Sequence, residues 1–325
     1  MGLYDLIFNR SIDDQTTLFF ATDLHGSEKC FKKFVNAKKF YDADVLILGG
    51  DLTGKAVVPF VDEGNGWRAE YPNQTKTFNE EPAVTEAEQQ VRNAGNYPVR
   101  LDAKDYESFK SDDKKIRDTY ERLESERLQR WVDLAEEKLD EQIYVIGGND
   151  DQSYVTEHLV KSSAFQLVDE TVVKLPSGHD ILGYGFSNPT PWDTPREKSE
   201  SDIQKEIDRI GEMVTNWEQT ILNVHCPPYD TTLDRASKLD DDLRPVTEGG
   251  QVVDEPVGST GIREFIETNE PMLGLHGHIH ESRGEVHIGN TLCLNPGSEY
   301  GEGVLNGAIV TLSENEVVQH QFISG

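Results

Sequence analysis

Histidines alternate at 276, 278 and 280 in the stretch GLHGHIHES, directly after the apolar run Met272-Leu273-Gly274-Leu275, in a chain with nine histidines. Four other apolar runs end in similar chemistry. TLFFAT (17–22) leads into Asp23-Leu24-His25-Gly26, VLILGG (45–50) into Asp51, IYVIGG (143–148) into Asn149-Asp150-Asp151, and TILNV (220–224) into His225. Carboxylate, imidazole and amide oxygen suit borderline-to-hard divalent ions such as manganese, iron, zinc or magnesium, and the lack of positioned thiolates disfavours a structural zinc. About seven such donors oversupply one ion. Two ions about 3.5–4 Å apart, bridged by one carboxylate, would use them, and that geometry suits in-line displacement at phosphorus.

The runs that carry these residues are continuous in apolar character and bounded by glycine, the pattern of strands buried on both faces in a sheet covered by helices. In such sheets ligands gather at the carboxyl ends of the strands. The five clusters therefore predict one site, built from strand ends drawn from most of the chain, on an α/β fold.

At 325 residues the chain is long enough for one large α/β domain with insertions or for two domains. Its three cysteines (Cys30, Cys226, Cys293) are widely spaced and form no C-x-x-C, so the expectation is a reducing interior without disulfides. The opening MGLYDLIFNRSIDDQ lacks the basic start and apolar core of a signal peptide, and no stretch approaches the roughly 20 apolar residues of a membrane span. The expected location is the cytoplasm, with no membrane partner. Sixty acidic against 31 basic residues give a formal charge of −29, scattered along the chain. Such a surface is tolerated when salt screens it, which suggests a halophilic source, and it argues against nucleic acid as a bulk partner.

In order along the chain, D-x-H (Asp23, His25), G-D (Gly50, Asp51), G-N (Gly148, Asn149), a lone His225 and G-H-x-H (Gly277, His278, His280) resemble the calcineurin-like metallophosphoesterase superfamily. NPGS (295–298) before the apolar GAIVTL is similar to members of it as well. The resemblance spans residues 18 to about 300 and implies a four-layer α/β/β/α sandwich. It implies that Asp23, His25 and His280 hold a first metal, that Asn149, His225 and His278 hold a second, and that Asp51 bridges them. Two divalent ions are the implied cofactors, manganese foremost, with iron, zinc, nickel or magnesium as alternatives. A metal-bridging hydroxide would then attack the phosphorus of a small phosphate-ester substrate.

The chain departs from the commonest pattern of that superfamily at GGNDD, where Asp150 stands in place of a histidine thought to protonate the leaving group. Three routes stay open: Asp150 takes over with a raised pKa, the leaving group departs unaided, or a nearby histidine such as His276 substitutes. Set against that last route, His276 reads as a packed neighbour of the site. The departure resembles the small bacterial and archaeal phosphodiesterase branch. Asp151 matches an acidic position expected to orient a ligand histidine. Cys226 reads as packing, and His158, His179, His287 and His320 as structural or surface residues.

The interval between Asp51 and Asn149 is longer than in compact relatives. Its first part (54–82) is polar and glycine-rich without clear period, whereas 111–140 reads as a helix with Ile116, Tyr120, Leu123, Trp131, Leu134 and Ala135 near one face. Together they suggest a cap-like insertion at about 54–140 in a single domain covering 1–325, or else a crossover helix with an enlarged surface loop. Arg196, in a proline-rich loop, could meet a substrate phosphate or pair with an acidic neighbour. The acidic segment 238–256 reads as exposed and mobile, and a helix follows it, capped by Ser259 or Thr260.

The expectation is a dinuclear-metal phosphoester hydrolase, first a phosphodiesterase, with Asn149, Asp150 and His276 as the catalytic candidates beside the metal ligands. The alternatives are a phosphomonoesterase acting on nucleotides or phosphoproteins, a repair nuclease, and a catalytically silent metal-binding scaffold.

Overall fold

Both faces of the central strands are apolar, and this decides the layering of the molecule. The computed structural model describes residues 15–325; the opening MGLYDLIFNRSIDD, read above for targeting signals, lies outside them. In β1 (Thr16–Ala21), Phe19 and Ala21 are buried in one apolar cluster while Leu18 and Phe20 are buried in another on the opposite face. The same division recurs in β2 (Val45–Leu48), where Leu46 and Leu48 oppose Val45 and Ile47. A strand enclosed on both sides has no solvent face, hence the unbroken apolar runs in the sequence.

The other strands of the larger sheets begin with an inserted group, β3 (Val57–Asp62), β4 (Trp67–Tyr71), β5 (Gln74–Phe78) and β6 (Tyr97–Asp102), then β7 (Ile143–Val145) and β8 (Phe165–Leu167). After these come β9 (Asp180–Tyr184), β10 (Thr220–Val224), β11 (Leu273–Leu275), β12 (Gly284–Ile288), β13 (Thr291–Asn295), β14 (Asn306–Ser313) and β15 (Glu316–Ser324). One sheet runs β15-β14-β1-β2-β7-β8, with β1, β2, β7 and β8 mutually parallel and β14 antiparallel to β1. A second runs β9-β10-β11-β13-β12, parallel except for β12.

The two sheets face each other across Leu18, Phe20, Ile47 and Ile146 from the first and Ile181, Ile221, Leu273 and Leu294 from the second. Helices α1 (Glu28–Phe40) and, further along the chain, the long helix of 113–138 cover the outer face of the first sheet with Phe31, Phe34, Leu128 and Trp131. On the second sheet, Ile203, Ile207 and Ile210 pack beside Ile262, Phe265 and Ile266, the apolar stripes of helices 200–211 and 260–269. The result is the four-layer α/β/β/α sandwich expected from the sequence.

Helices take their places in chain order as α1, α2 (Glu81–Asn93), α3 (Ala103–Lys110), α4 (Asp113–Lys138), α5 (Ser153–Leu159), α6 (Glu200–Gly211) and α7 (Thr260–Asn269). Helix α4 is the one anticipated over 111–140, with Asp112 capping it by accepting from the amides of Lys114 and Lys115. Its buried face runs through Leu128, Trp131, Val132 and Ala135 but also takes in Glu124 and Arg127. Ser259 caps α7 by accepting from the amide of Ile262.

The segment read as aperiodic loop, 54–82, instead holds three strands. They pair as β5-β4-β3-β6, and α2 closes a small core of Val58, Phe60, Ala69, Val84, Ala87 and Val91 over them. The acidic 238–256 segment is largely exposed as expected, and it forms short antiparallel ribbons, 235–237 with 254–256 and 247–248 with 251–252. Among the described residues no helix is long and apolar enough to cross a membrane.

Candidate active site

All five strand ends open at the same edge of the sandwich. The loops after β1 and β2 continue to hydrogen-bond beyond the strands, with Asp23 N donating to Gly50 O (3.0 Å), His25 N to Asp51 O (2.9 Å) and Gly26 N to Leu52 O (2.7 Å). The turns are sharp: Asp23, His25, Asp51 and His278 all have positive φ, between 40° and 68°. A left-handed conformation costs a non-glycine residue roughly 1–2 kcal/mol, so four of them at one edge mark a site held in shape by its surroundings. Gly50 (φ 97°) has no room for a side chain, since a Cβ there would lie 2.7 Å from the Gly148 backbone.

The seven predicted ligands meet, four from the first sheet and three from the second. Asp23, His25, Asp51 and His280 each offer an atom within 4.8 Å of the others. His25 Nε2 lies 3.1 Å from His280 Nε2 and 3.4 Å from Asp51 Oδ2, and His280 Nε2 lies 3.3 Å from Asp23 Oδ1. On the other side of Asp51, His225 Nε2 is 3.5 Å from Asp51 Oδ1 and 3.0 Å from Asn149 Oδ1, and the His278 ring stands 5.3 Å from that of His225. Asp51 thus presents one oxygen to each group.

Neighbouring polar groups aim these side chains. Thr22 Oγ1 donates to Asp23 Oδ2 (2.8 Å), and the His278 amide donates to the same carboxylate. His225 uses Nδ1 on the Gly49 carbonyl (2.7 Å), which turns Nε2 into the site. Asn149 Nδ2 donates to Thr194 Oγ1 (2.9 Å), leaving Oδ1 to face His225.

The electrostatics of this edge are those of a cation site. Burial by itself would raise the Asp23 carboxyl, but His280 and His225 hold it down to about 2, and His225, His25 and His278 hold Asp51 well below the usual carboxylate range. Burial lowers His25 to about 3 and His278 to about 4, leaving both neutral. Against the same burial penalty, Asp51 and Asp23 raise His225 to about 9, and Asp23 raises His280. Two fully buried carboxylates with neutral imidazoles turned toward them make a donor set that fits divalent cations.

Other expectations fall differently. His276 is wholly buried, outside the cavity, with Nδ1 on the Val224 carbonyl (2.9 Å), the position of a packed histidine. Asp151 does not touch a ligand histidine. Its carboxylate accepts from Leu52 N (3.0 Å), Thr53 N (3.1 Å), Thr53 Oγ1 (2.9 Å) and Gly148 N (2.8 Å), which ties the Asp51 loop to the Asn149 loop. Those donors oppose the rise to about 6 that burial and Asp51 impose on it. Arg196 is committed to Asp169 by an ion pair, while its amide donates to Asn149 O (3.1 Å). Cys226 is buried packing, its thiol pushed up to about 12 by burial. Histidines 158, 179, 287 and 320 lie outside the cavity lining.

A cavity of about 900 Å³ opens over the cluster, bounded by Asp51, Asn149, Asp150, His278 and His280 at its floor. Its walls come from the 188–194 loop, the acidic ribbons around 236–257, and Gly54, Lys55 and Tyr120 at the root and helix of the inserted segment. Three residues of this neighbourhood escaped the sequence reading. Lys55 lies on Asp150 (2.6 Å), Thr194 orients Asn149, and the Tyr300 ring packs at 4.6 Å from His25 and 5.8 Å from His280. Lys55, four residues beyond Asp51 in GDLTGK, could have been found from its adjacency to a motif. Thr194 and Tyr300 had no such signal.

No family model matches the chain. An uncharacterized protein of Methanocaldococcus jannaschii is 35% identical over 157 residues, which cover 48% of this chain and 63% of that protein, so the match spans less than two thirds of the relative. A solved crystal structure superposes with a TM-score of 0.55 at 13% identity, covering 96% of this chain and 98% of its own, a level that speaks to fold alone. The Escherichia coli phosphoesterase YfcE covers 94% of this chain and 98% of its own at 12% identity, with a TM-score of 0.34. The likeness in fold, over almost the whole of both chains, agrees with the α/β/β/α sandwich expected from the sequence.

Proposed function

We propose that the chain is a metal-dependent phosphoester hydrolase, a phosphodiesterase first, with Asp23, His25 and His280 holding one divalent cation, Asn149, His225 and His278 a second, and Asp51 serving both. One observation carries the reading: Asp51 presents Oδ2 to His25 from the first sheet and Oδ1 to His225 from the second, standing between two donor groups that each draw on both sheets. When bound there, divalent cations supply Lewis acidity and neutralise charge developing on phosphoryl oxygens.

The rest belongs to the chain. Asp151 and Thr194 fix the loops that carry Asp51 and Asn149, so the donors need little reorganisation. The 188–194 loop and the acidic ribbons wall the cavity and limit water around an ester. We read the 54–140 insertion as a cap within a single domain, anchored at the cavity wall by Lys55 and Tyr120. With His276 outside the cavity, the proton for the leaving oxygen comes from Asp150, which lines it, or the leaving group departs unaided.

The test is hydrolysis of bis(4-nitrophenyl) phosphate against 4-nitrophenyl phosphate in molar KCl, by protein stripped with chelator and refilled with manganese. Metal-restored turnover that prefers the diester is expected, and Asp51→Asn should abolish it. Preference for the monoester would replace the phosphodiesterase reading with a phosphomonoesterase, and near-wild-type turnover in Asp51→Asn would sink the two-ion assignment.

A further inference from the structure

The cavity has an unusual charge inventory for a pocket that receives a phosphate. Among the described residues, Lys55 is the only lysine or arginine that lines it. Beyond the donor cluster the lining includes Asp150, Asp240, Asp241, Glu255 and Glu281. Carboxylates repel a phosphate ester; Glu255 has Lys238 beside it (3.9 Å), and the chain as a whole carries a formal charge of −29. Lys55 Nζ lies 2.6 Å from Asp150 Oδ2, and Asp150 in turn sits over the donor cluster, its amide donating to Asp51 Oδ1 (3.0 Å) and its Oδ2 3.9 Å from His25 Nδ1. The ammonium is therefore poised beside the donors, on a side chain that is still 51% exposed and able to change partner.

Its backbone, by contrast, is fixed. Gly54 N donates to Tyr97 Oη (2.8 Å), Tyr120 Oη donates to Gly54 O, and Gly54 is so closely packed that a Cβ would fall 1.8 Å from the Gly95 carbonyl. A free lysine tip on a clamped stem is what a site needs to pass one cation from a resident carboxylate to an incoming anion at small entropic cost.

On the reading that this is a phosphoesterase site, we infer that Lys55 is its phosphate-anchoring and specificity-determining residue, held ready by Asp150 and transferred to a phosphoryl oxygen when the ester enters. A single ammonium among these acids favours a monoanionic diester over a dianionic monoester, because the second negative charge meets carboxylates and, among the described lining residues, no further lysine or arginine. Asp150, standing where the superfamily pattern has a histidine, acts here as the competitor that the ester displaces.

The experiment is calorimetric binding of inorganic phosphate to manganese-loaded protein, alongside KM and kcat for bis(4-nitrophenyl) phosphate and metal content by atomic emission, in wild type, Lys55→Met, Lys55→Arg and Asp150→Asn. A charge-assisted hydrogen bond of this kind corresponds to about tenfold or more in affinity. Lys55→Met should weaken phosphate and raise KM by about that factor, with metal content unchanged and kcat much less affected, the pattern of lost ground-state binding. Lys55→Arg should restore most of the binding, and Asp150→Asn should tighten phosphate by removing the competitor. Phosphate affinity in Lys55→Met within twofold of wild type, at full metal content, would overturn the anchoring role. Weaker phosphate binding in Asp150→Asn would overturn the displacement. Wild-type protein that neither binds phosphate nor hydrolyses either ester would remove the phosphoesterase reading itself, and this inference with it.

Discussion

Glu124 offers the sharpest physical test of the structure, because it is a carboxyl at 1% exposure in α4 to which, among the described residues, no lysine or arginine is bonded. Its partner is the Tyr154 hydroxyl, which donates to Oε2, with Thr53 and Tyr120 also in reach. Burial first, and the nearby Asp151 second, push the Glu124 carboxyl from 4.5 up to about 7, against the hydrogen bonds that favour its ionised form. Between those two values the folded chain holds a proton that the unfolded chain has released. The contribution of this group to stability is therefore greatest below pH 4.5, falls as pH rises through the window, and stays low above pH 7. The full span corresponds to about 3 kcal/mol, at 1.36 kcal/mol per tenfold change in proton affinity.

Glu124→Gln keeps the shape and the acceptor but cannot ionise. Urea unfolding of both proteins in the same KCl buffer at pH 5, 6, 7 and 8 gives the difference in stability, in which every other titrating group cancels. That difference should move in favour of the variant by about 2.5 kcal/mol between pH 5 and pH 8. A difference that does not change with pH would mean that Glu124 titrates normally in the folded chain. A variant less stable at pH 8 would mean that its charge is compensated. Either result would refute the reasoning.

Two further outcomes follow from the same structure. Asp151→Ala leaves three backbone amides and the Thr53 hydroxyl without their acceptor, at about 1–3 kcal/mol for each group that stays unsatisfied; a net loss of about 3–6 kcal/mol, or a Tm lower by roughly 5–9 °C for a chain of this size, is expected in a thermal melt, together with loss of turnover as the Asp51 loop loosens, and a Tm within 2 °C of wild type would count against that role. The formal charge of −29 predicts a melting temperature that rises with KCl, since the Debye length shrinks to about 3 Å at 1 M, and a Tm indifferent to KCl would remove the halophilic reading.

The strands that carry chemistry were legible because being buried on both faces leaves a long apolar run, and five such runs each ended in Asp, His or Asn. The inserted sheet was not, for the opposite reason. Strands such as WRAEY and QTKTF have a polar face, and VVPFVD is interrupted by Pro59, so neither a continuous run nor a clean alternation survives. Partnerships across the chain were equally hidden. That Asp151 serves the amides of Leu52 and Thr53 depends on β2 and β7 being neighbours, and that Arg196 is occupied depends on Asp169, both facts of topology. His276 shares the spacing of His278 and His280, yet its ring is buried against Val224 while theirs reach the cavity, a difference set by the turn at His278 (φ 68°).

The division of the seven donors between the sheets also bears on how the protein comes into being. Asp23, His25, Asp51 and Asn149 leave the ribosome early, but His225, His278 and His280 come from the last third of the sequence, and β14, which lies against β1, comes later still. No nascent segment ending before residue 280 can assemble the full set, and β1 lacks its β14 neighbour until residues 308–312 pair with 16–20. A chain that stops before residue 280, or one whose two sheets have not come together, therefore lacks part of the donor set.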